Sequence, residues 1–110
     1  MLTNEFITTT YETLKQAASV AFEANEAVLV AKRDLEAGRA DLIAHGLIDG
    51  KNEALREAQF RQHLAGQYET LNLAEANARQ ARHALELARL DVELARAQLR
   101  LMELAEAGAA

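Results

Sequence analysis

The chain has no cysteine, no proline and no tryptophan, and among 110 residues only three Phe and two Tyr. Absence of cysteine excludes a disulfide scaffold, a cysteine-based zinc site and a thiol enzyme. Average usage would place about five prolines in a chain of this length, and without them nothing forces a helix to stop. The β-branched and aromatic residues that favour strands are too few and too scattered to build a sheet. The longest uninterrupted apolar run, Ala27 to Ala31, is far short of the ~20 residues of a membrane-spanning helix. Met1 to Thr10 has neither a basic region nor a continuous apolar stretch, so no secretory signal is expected there. The expected location is the cytoplasm.

What is present is alanine and leucine, 24 and 17 residues respectively, the strongest helix formers. The net charge of −5 argues against general nucleic-acid binding and fits a protein that meets other proteins. The length fits one domain, 1–110.

One stretch reads as a break, Gly46-Leu47-Ile48-Asp49-Gly50-Lys51-Asn52. Gly46 suits the left-handed position after a helix, with Leu47 folding back toward Leu42. Asp49 or Asn52 is expected to cap the helix that follows. Gly38 and Gly66 stand inside helical patterns and need not end them. Thr9 and Glu12 fit a capping box at the start of the first helix, leaving residues 1–8 as an arm or a short separate helix. The reading is therefore helix one over about 10–45, a turn at 46–51 and helix two over about 50–106, antiparallel because the connection is short.

Both helices carry a heptad pattern. In helix one, Leu14, Ala21, Val28, Leu35 and Leu42 form one row, and Ala17, Ala24, Ala31, Gly38 and His45 form the row three residues on. In helix two the rows are Leu64, Leu71, Ala78, Leu85, Val92 and Leu99, and Gln67, Ala74, Ala81, Ala88, Ala95 and Met102. A sustained 3.5-residue repeat is the signature of a left-handed coiled coil, and small residues along its seam let the helices approach closely. The expected fold is all-α, a long antiparallel two-helix coiled-coil hairpin that assembles into an oligomeric helical bundle.

The oligomer is expected from a second stripe on helix two. Leu87, Leu90, Leu94, Ala97, Leu101 and Leu104 also alternate by threes and fours. Leu87 lies about 200° around the helix from Leu85, so this stripe faces nearly away from the first. A helix apolar on two faces must be covered on both, and a hairpin covers one. Folding about residue 48 or 49 would set Thr9 beside Ala88 and leave residues beyond Ala95 without a partner in the chain. Leu87, Leu90, Leu94, Leu101 and Leu104 are accordingly the expected interface between copies.

Catalytic chemistry is not evident. There is no HExxH, no glycine-rich phosphate loop and no nucleophile with an evident base. His45, His63 and His83 lie far apart, and Glu23 and Glu26 have no histidine beside them, so neither a metal site nor a di-iron carboxylate bundle is expected. No cofactor and no enzyme activity are expected. Arg82, Arg89 and Arg96 recur every seven residues along one flank, with Glu86 and Glu93 four residues after the first two. Such charges read as a solvated face or as the flanking charges that choose helix partners. Glu57 and Arg61, and Glu75 and Arg79, are further pairs at helical spacing.

The segment Gly46 to Gln62 is the one that suggests a ligand. Lys51, Asn52, Arg56 and Gln59 gather near the first turn of helix two, where exposed backbone N–H groups and nearby cations suit an anion. The same residues read equally as a turn, a cap and a solvated face. The pattern GxxxGKNxxxRxAQ, made by Gly46, Gly50, Lys51, Asn52, Arg56, Ala58 and Gln59, resembles small helical-hairpin proteins of bacteriophages and related mobile elements. The resemblance covers the turn and, loosely, helix two. It implies a phage-type protein in the host cytoplasm that works by binding, such as an inhibitor of a host defence or nuclease factor. The alternatives are a sponge for an anionic nucleotide signal, and a structural or assembly coiled coil in virion or recombination machinery.

Overall fold

The structure, a computed structural model, describes residues 3–109. It consists of three helices, α1 (Asn4–Ala44), α2 (Glu53–His63) and α3 (Ala65–Ala109), with no strand among the described residues. The chain divides into two compact units, an end unit (Met1–Phe22 with Arg79–Ala110) and a turn unit (Glu23–Ala78).

The helix boundaries differ from the sequence reading in two places, each with a local cause. α1 starts at Asn4 rather than near residue 10. Its cap is Thr3, whose Oγ1 accepts from the Phe6 N–H at 3.0 Å, satisfying one of the open donors of the first turn. Thr9 and Glu12 therefore lie within the helix, and the expected capping box is not the start. The Thr10 hydroxyl instead donates to the Phe6 carbonyl at 2.8 Å, the back-bond open to a threonine in mid-helix. Of the expected arm over residues 1–8, Met1 and Leu2 lie outside the described residues, and residues 4–8 continue α1.

At its other end α1 closes as a Schellman motif. Gly46 has φ +70°, its N–H bonds the Ile43 carbonyl and the Leu47 N–H bonds the Leu42 carbonyl, both at 3.0 Å. The His45 ring Nδ1 lies 2.7 Å from the Asp41 carbonyl, which also accepts the His45 backbone N–H at 3.0 Å. His45 itself is exposed, and the seam row that the heptad extended to it stops short.

The second difference is that helix two is two helices. Leu64 takes φ −114° and ψ 27°, outside the helical range, while its N–H still bonds the Phe60 carbonyl at 2.8 Å. The cause lies in the spacing of buried positions. From Leu71 onward they alternate strictly by threes and fours, but Phe60, Leu64 and Tyr68 are four and four apart. This is a slip of phase against the heptad. The joint at Leu64 absorbs it, and Tyr68 takes the half-buried seam position that the repeat assigned to Gln67, which is exposed.

Elsewhere the heptad rows are the buried rows. In the turn unit Ala31, Leu35, Phe60, Leu64, Ala74 and Ala78 are buried, with Val28, Gly38, Leu42 and Leu71 half-buried. Leu35, Phe60 and Leu64 form its core, against which Leu42, Ile48, Tyr68 and Leu71 pack. A Cβ on Gly38 would stand 3.0 Å from Leu64 Cδ2, so the missing side chain there is what admits Leu64. In the end unit the buried residues are Ala21, Ala81, Ala88, Val92 and Ala95, with Leu14, Ala17, Leu85 and Leu99 half-buried.

Candidate binding surfaces

The turn segment is held by its own polar side chains. The Gln59 carbonyl oxygen accepts from the N–H groups of Asp49 (3.1 Å) and Gly50 (2.9 Å), and its amide donates to the Asp49 carboxylate at 2.6 Å. Arg56 Nη1 donates to the Gly50 carbonyl at 3.1 Å. Asn52 is the cap of α2, with Oδ1 accepting from the Leu55 N–H at 2.9 Å. Of the two residues eligible for that cap, Asn52 takes it and Asp49 is bound to Gln59. Gly50 is fixed by space, since a Cβ there would meet the Arg56 nitrogen at 2.8 Å. The structure thus brings Asn52, Arg56, Gln59, Gly46 and Gly50 into one loop and gives each a part in closing it. Lys51 is exposed beside them.

A polar cluster that sequence reading did not anticipate lies next to this turn. Arg39 Nη1 donates to the Tyr68 hydroxyl at 2.8 Å and to the Glu57 carboxylate at 3.4 Å, and its guanidinium lies 4.1 Å from the Phe60 ring centroid. Tyr68 in turn donates to Glu57 at 3.3 Å. Arg61 stands 4.9 Å from the Tyr68 ring and 3.9 Å from Glu57. Only the Glu57–Arg61 pair was visible as an i,i+4 spacing. Arg39 sits 18 positions from Glu57, too far in sequence for any local rule to couple them.

In the end unit, Arg96 Nε donates to the Tyr11 hydroxyl at 3.0 Å. Phe6, Thr9 and Thr13 of α1 and Asp91, Leu94 and Gln98 of α3 are among the residues that line a cavity of about 280 Å³, so Leu94 borders it as well as the outer face. These contacts correct the expected register. Tyr11 meets Arg96 rather than a residue near Ala88, so the stretch just beyond Ala95 has α1 beside it.

The leucine stripe lies bare on α3. Leu87, Leu90, Leu94, Leu101 and Leu104 are 49%, 58%, 58%, 67% and 61% exposed, whereas Ala88, Val92 and Ala95 between them are at most 4% exposed. One α3 face is therefore sealed by alanine and valine and the other presents leucine to solvent. Patches of this kind commonly mark a surface that meets another apolar surface. Among the described residues there is no group of three metal-ligating side chains, and no helix is long and apolar enough to cross a membrane. No family model, no curated protein and no solved structure matches the chain.

Proposed function

We propose that this chain is a non-enzymatic coiled-coil binding protein that associates with copies of itself through the outer face of α3 and acts on a protein partner by contact, in the cytoplasm. The observation that carries this is the stripe of five leucines, 49–67% exposed, along a helix whose opposite face is already sealed. Burying a leucine is worth roughly 1.5–3 kcal/mol, so covering both copies of such a stripe is a substantial driving force for association. The class of partner, a host defence or nuclease factor met by a phage-type inhibitor, is supplied by the resemblance of the turn motif alone. The nucleotide-sponge reading gains nothing from the geometry, because Gln59, Asn52 Oδ1 and Arg56 Nη1 are each engaged in closing the loop itself.

Size-exclusion chromatography with light scattering tests the self-association. The wild type is expected to be oligomeric, with a thermal midpoint that rises with protein concentration. Leu94→Ala combined with Leu101→Ala is expected to release monomer, since removing a leucine buried in an interface costs about 2–5 kcal/mol. A wild type that stays monomeric at every concentration refutes the reading.

A further inference from the structure

The outer stripe of α3 is itself a heptad seam, and its flanks carry enough charge to choose a direction. Resting on the self-association just proposed, the question is how a second copy lies. Leu87, Leu94 and Leu101 form one row, and Leu90, Ala97 and Leu104 the row three residues on. Immediately before the first row stand Glu86, Glu93 and Arg100. Immediately after the second stand Asp91, Gln98 and Ala105. All six flanking residues are exposed, Asp91 and Gln98 also bordering the cavity against Phe6 and Thr9 of α1, and charges in such positions select partner and orientation in paired helices.

In a parallel pair in register, the residues before the first row face those after the second. Glu86 of each copy then meets Asp91 of the other, two like-charge contacts, and Arg100 meets only Ala105. In an antiparallel pair each flank faces its own kind. We propose that two copies pair antiparallel through this stripe, about a two-fold axis passing between Ala95 and Arg96. This register sets Leu87 against Leu104 of the second copy, Leu90 against Leu101 and Leu94 against Ala97, every layer occurring twice. On one flank Glu93 meets Arg100 of the second copy, again twice, and on the other Asp91 meets Gln98. No like charges face each other.

The register is specified as well as the direction. Sliding one heptad one way sets Glu93 against its own copy and places Leu101 and Leu104 opposite His83 and Gln80. Sliding one heptad the other way sets Leu90 opposite Gly108. Only the proposed register matches all six layers with apolar residues and pairs the charges. The sealed face of α3, with Ala88, Val92 and Ala95 buried, lies on the far side of the helix and is undisturbed.

Charge reversal separates these arrangements without touching the core. Glu93→Arg alone and Arg100→Glu alone each create two like-charge contacts and are expected to weaken association about tenfold or more, in the range of two exposed ion pairs lost and reversed. The double variant Glu93→Arg with Arg100→Glu is expected to restore it. Cross-linking gives the direction independently, because the chain has no cysteine of its own. Ala84→Cys and Ala105→Cys chains, mixed and treated with a short bismaleimide, are expected to join as the mixed pair. Two copies of residue 84 would lie about 35 Å apart along the antiparallel pair. Helical content by circular dichroism shows that each variant is folded. An oligomer in which the double variant fails to rescue, or in which 84 links to 84, overturns the antiparallel pairing and leaves self-association standing. A monomeric wild type overturns both.

Discussion

In the turn unit the deepest residues include Leu35, Phe60 and Leu64, at 8%, 6% and 5% exposure, while in the end unit they are four alanines and a single valine. Several large apolar side chains of the end unit are exposed. Phe6 and Phe22 are 48% and 66% exposed, and the α3 leucines are exposed to a similar degree. The polar contacts divide in the same manner. The turn unit has Arg39, Glu57, Arg61 and Tyr68 tied together over Phe60, plus the Gln59 and Arg56 bonds of the loop. The end unit has the Arg96–Tyr11 contact on its surface. Both regions use the same heptad seam, but one fills it with side chains that hold it shut unaided. The other seals it with small residues, which let helices come close yet remove little apolar area from water. The turn unit buries three large side chains at its centre, and the end unit buries only alanine and valine as deeply.

A matched pair of truncations tests that contrast most strongly. Phe60→Ala is expected to destabilise the chain by about 3–5 kcal/mol, since it empties the centre of the turn-unit core and removes the ring beneath Arg39. Val92→Ala, the largest truncation among the fully buried residues of the end unit, is expected to cost about 1–2 kcal/mol, the value of about two methylene groups. Chemical denaturation measures both. Equal losses would mean that the end-unit seam contributes as much as the aromatic core, and the comparison would fail.

Backbone fit at the turn is next in size. Gly50→Ala is expected to cost about 1–3 kcal/mol, as for overpacking, because the added Cβ would press on the backbone at Arg56 and Leu55 at 2.8 and 2.9 Å. Gly66→Ala, where nothing lies within 4 Å of the added Cβ, is expected to leave the chain as stable or up to about 1 kcal/mol more so. Gln59→Ala removes three hydrogen bonds that close the loop, and at about 0.5–1.5 kcal/mol each in isolation the expected loss is about 1–2 kcal/mol once water replaces them at exposed Asp49. Thermal melts are expected to place Gly50→Ala lowest, Gln59→Ala next and Gly66→Ala highest. Tight binding of inorganic phosphate to the wild type that Gln59→Ala abolishes would return a ligand role to the loop.

How much of this was legible in the sequence depended on the range of the interaction. The heptad rows followed from spacing alone, because burial of a helix face is periodic and local. The Gly46 ending followed as well, since a left-handed position after a helix calls for glycine. The first cap was misplaced because two threonine-led starts compete, and the outcome turns on whether the chain before Thr9 has a surface to pack on. The break at Leu64 was missed although its cause is a local spacing of four and four. The heptad was extended through Gln67 when the half-buried residue is Tyr68. The Arg39 cluster was not legible at all, since it joins residues from α1, α2 and α3 that no sequence rule relates. The exposed stripe of α3 was legible for the opposite reason, because it needs no partner in the chain to define it.

The smallest expected effect compares the two tyrosines. Both hydroxyls accept a hydrogen bond from an arginine, at 2.8 Å for Tyr68 and 3.0 Å for Tyr11. Their surroundings differ. Tyr68 is half-buried and also donates to Glu57 at 3.3 Å, so Tyr68→Phe leaves Arg39 and Glu57, both partly shielded, each short of a partner. Hydrogen bonds to charged groups contribute about 1.5–3 kcal/mol when protected from water, and partial exposure of the cluster brings the expected loss to about 1–2 kcal/mol. Tyr11 and Arg96 are exposed, and water takes the place of the lost hydroxyl on the arginine. Tyr11→Phe keeps the ring 5.8 Å from the guanidinium, within the reach of a cation–π contact. Its expected cost is no more than about 0.5 kcal/mol, the range of surface substitutions. Denaturation of the two variants in parallel reads the difference directly. If Tyr11→Phe proves as damaging as Tyr68→Phe, then Tyr11 is shielded in solution by a surface that covers this side of the end unit as well as the leucine stripe.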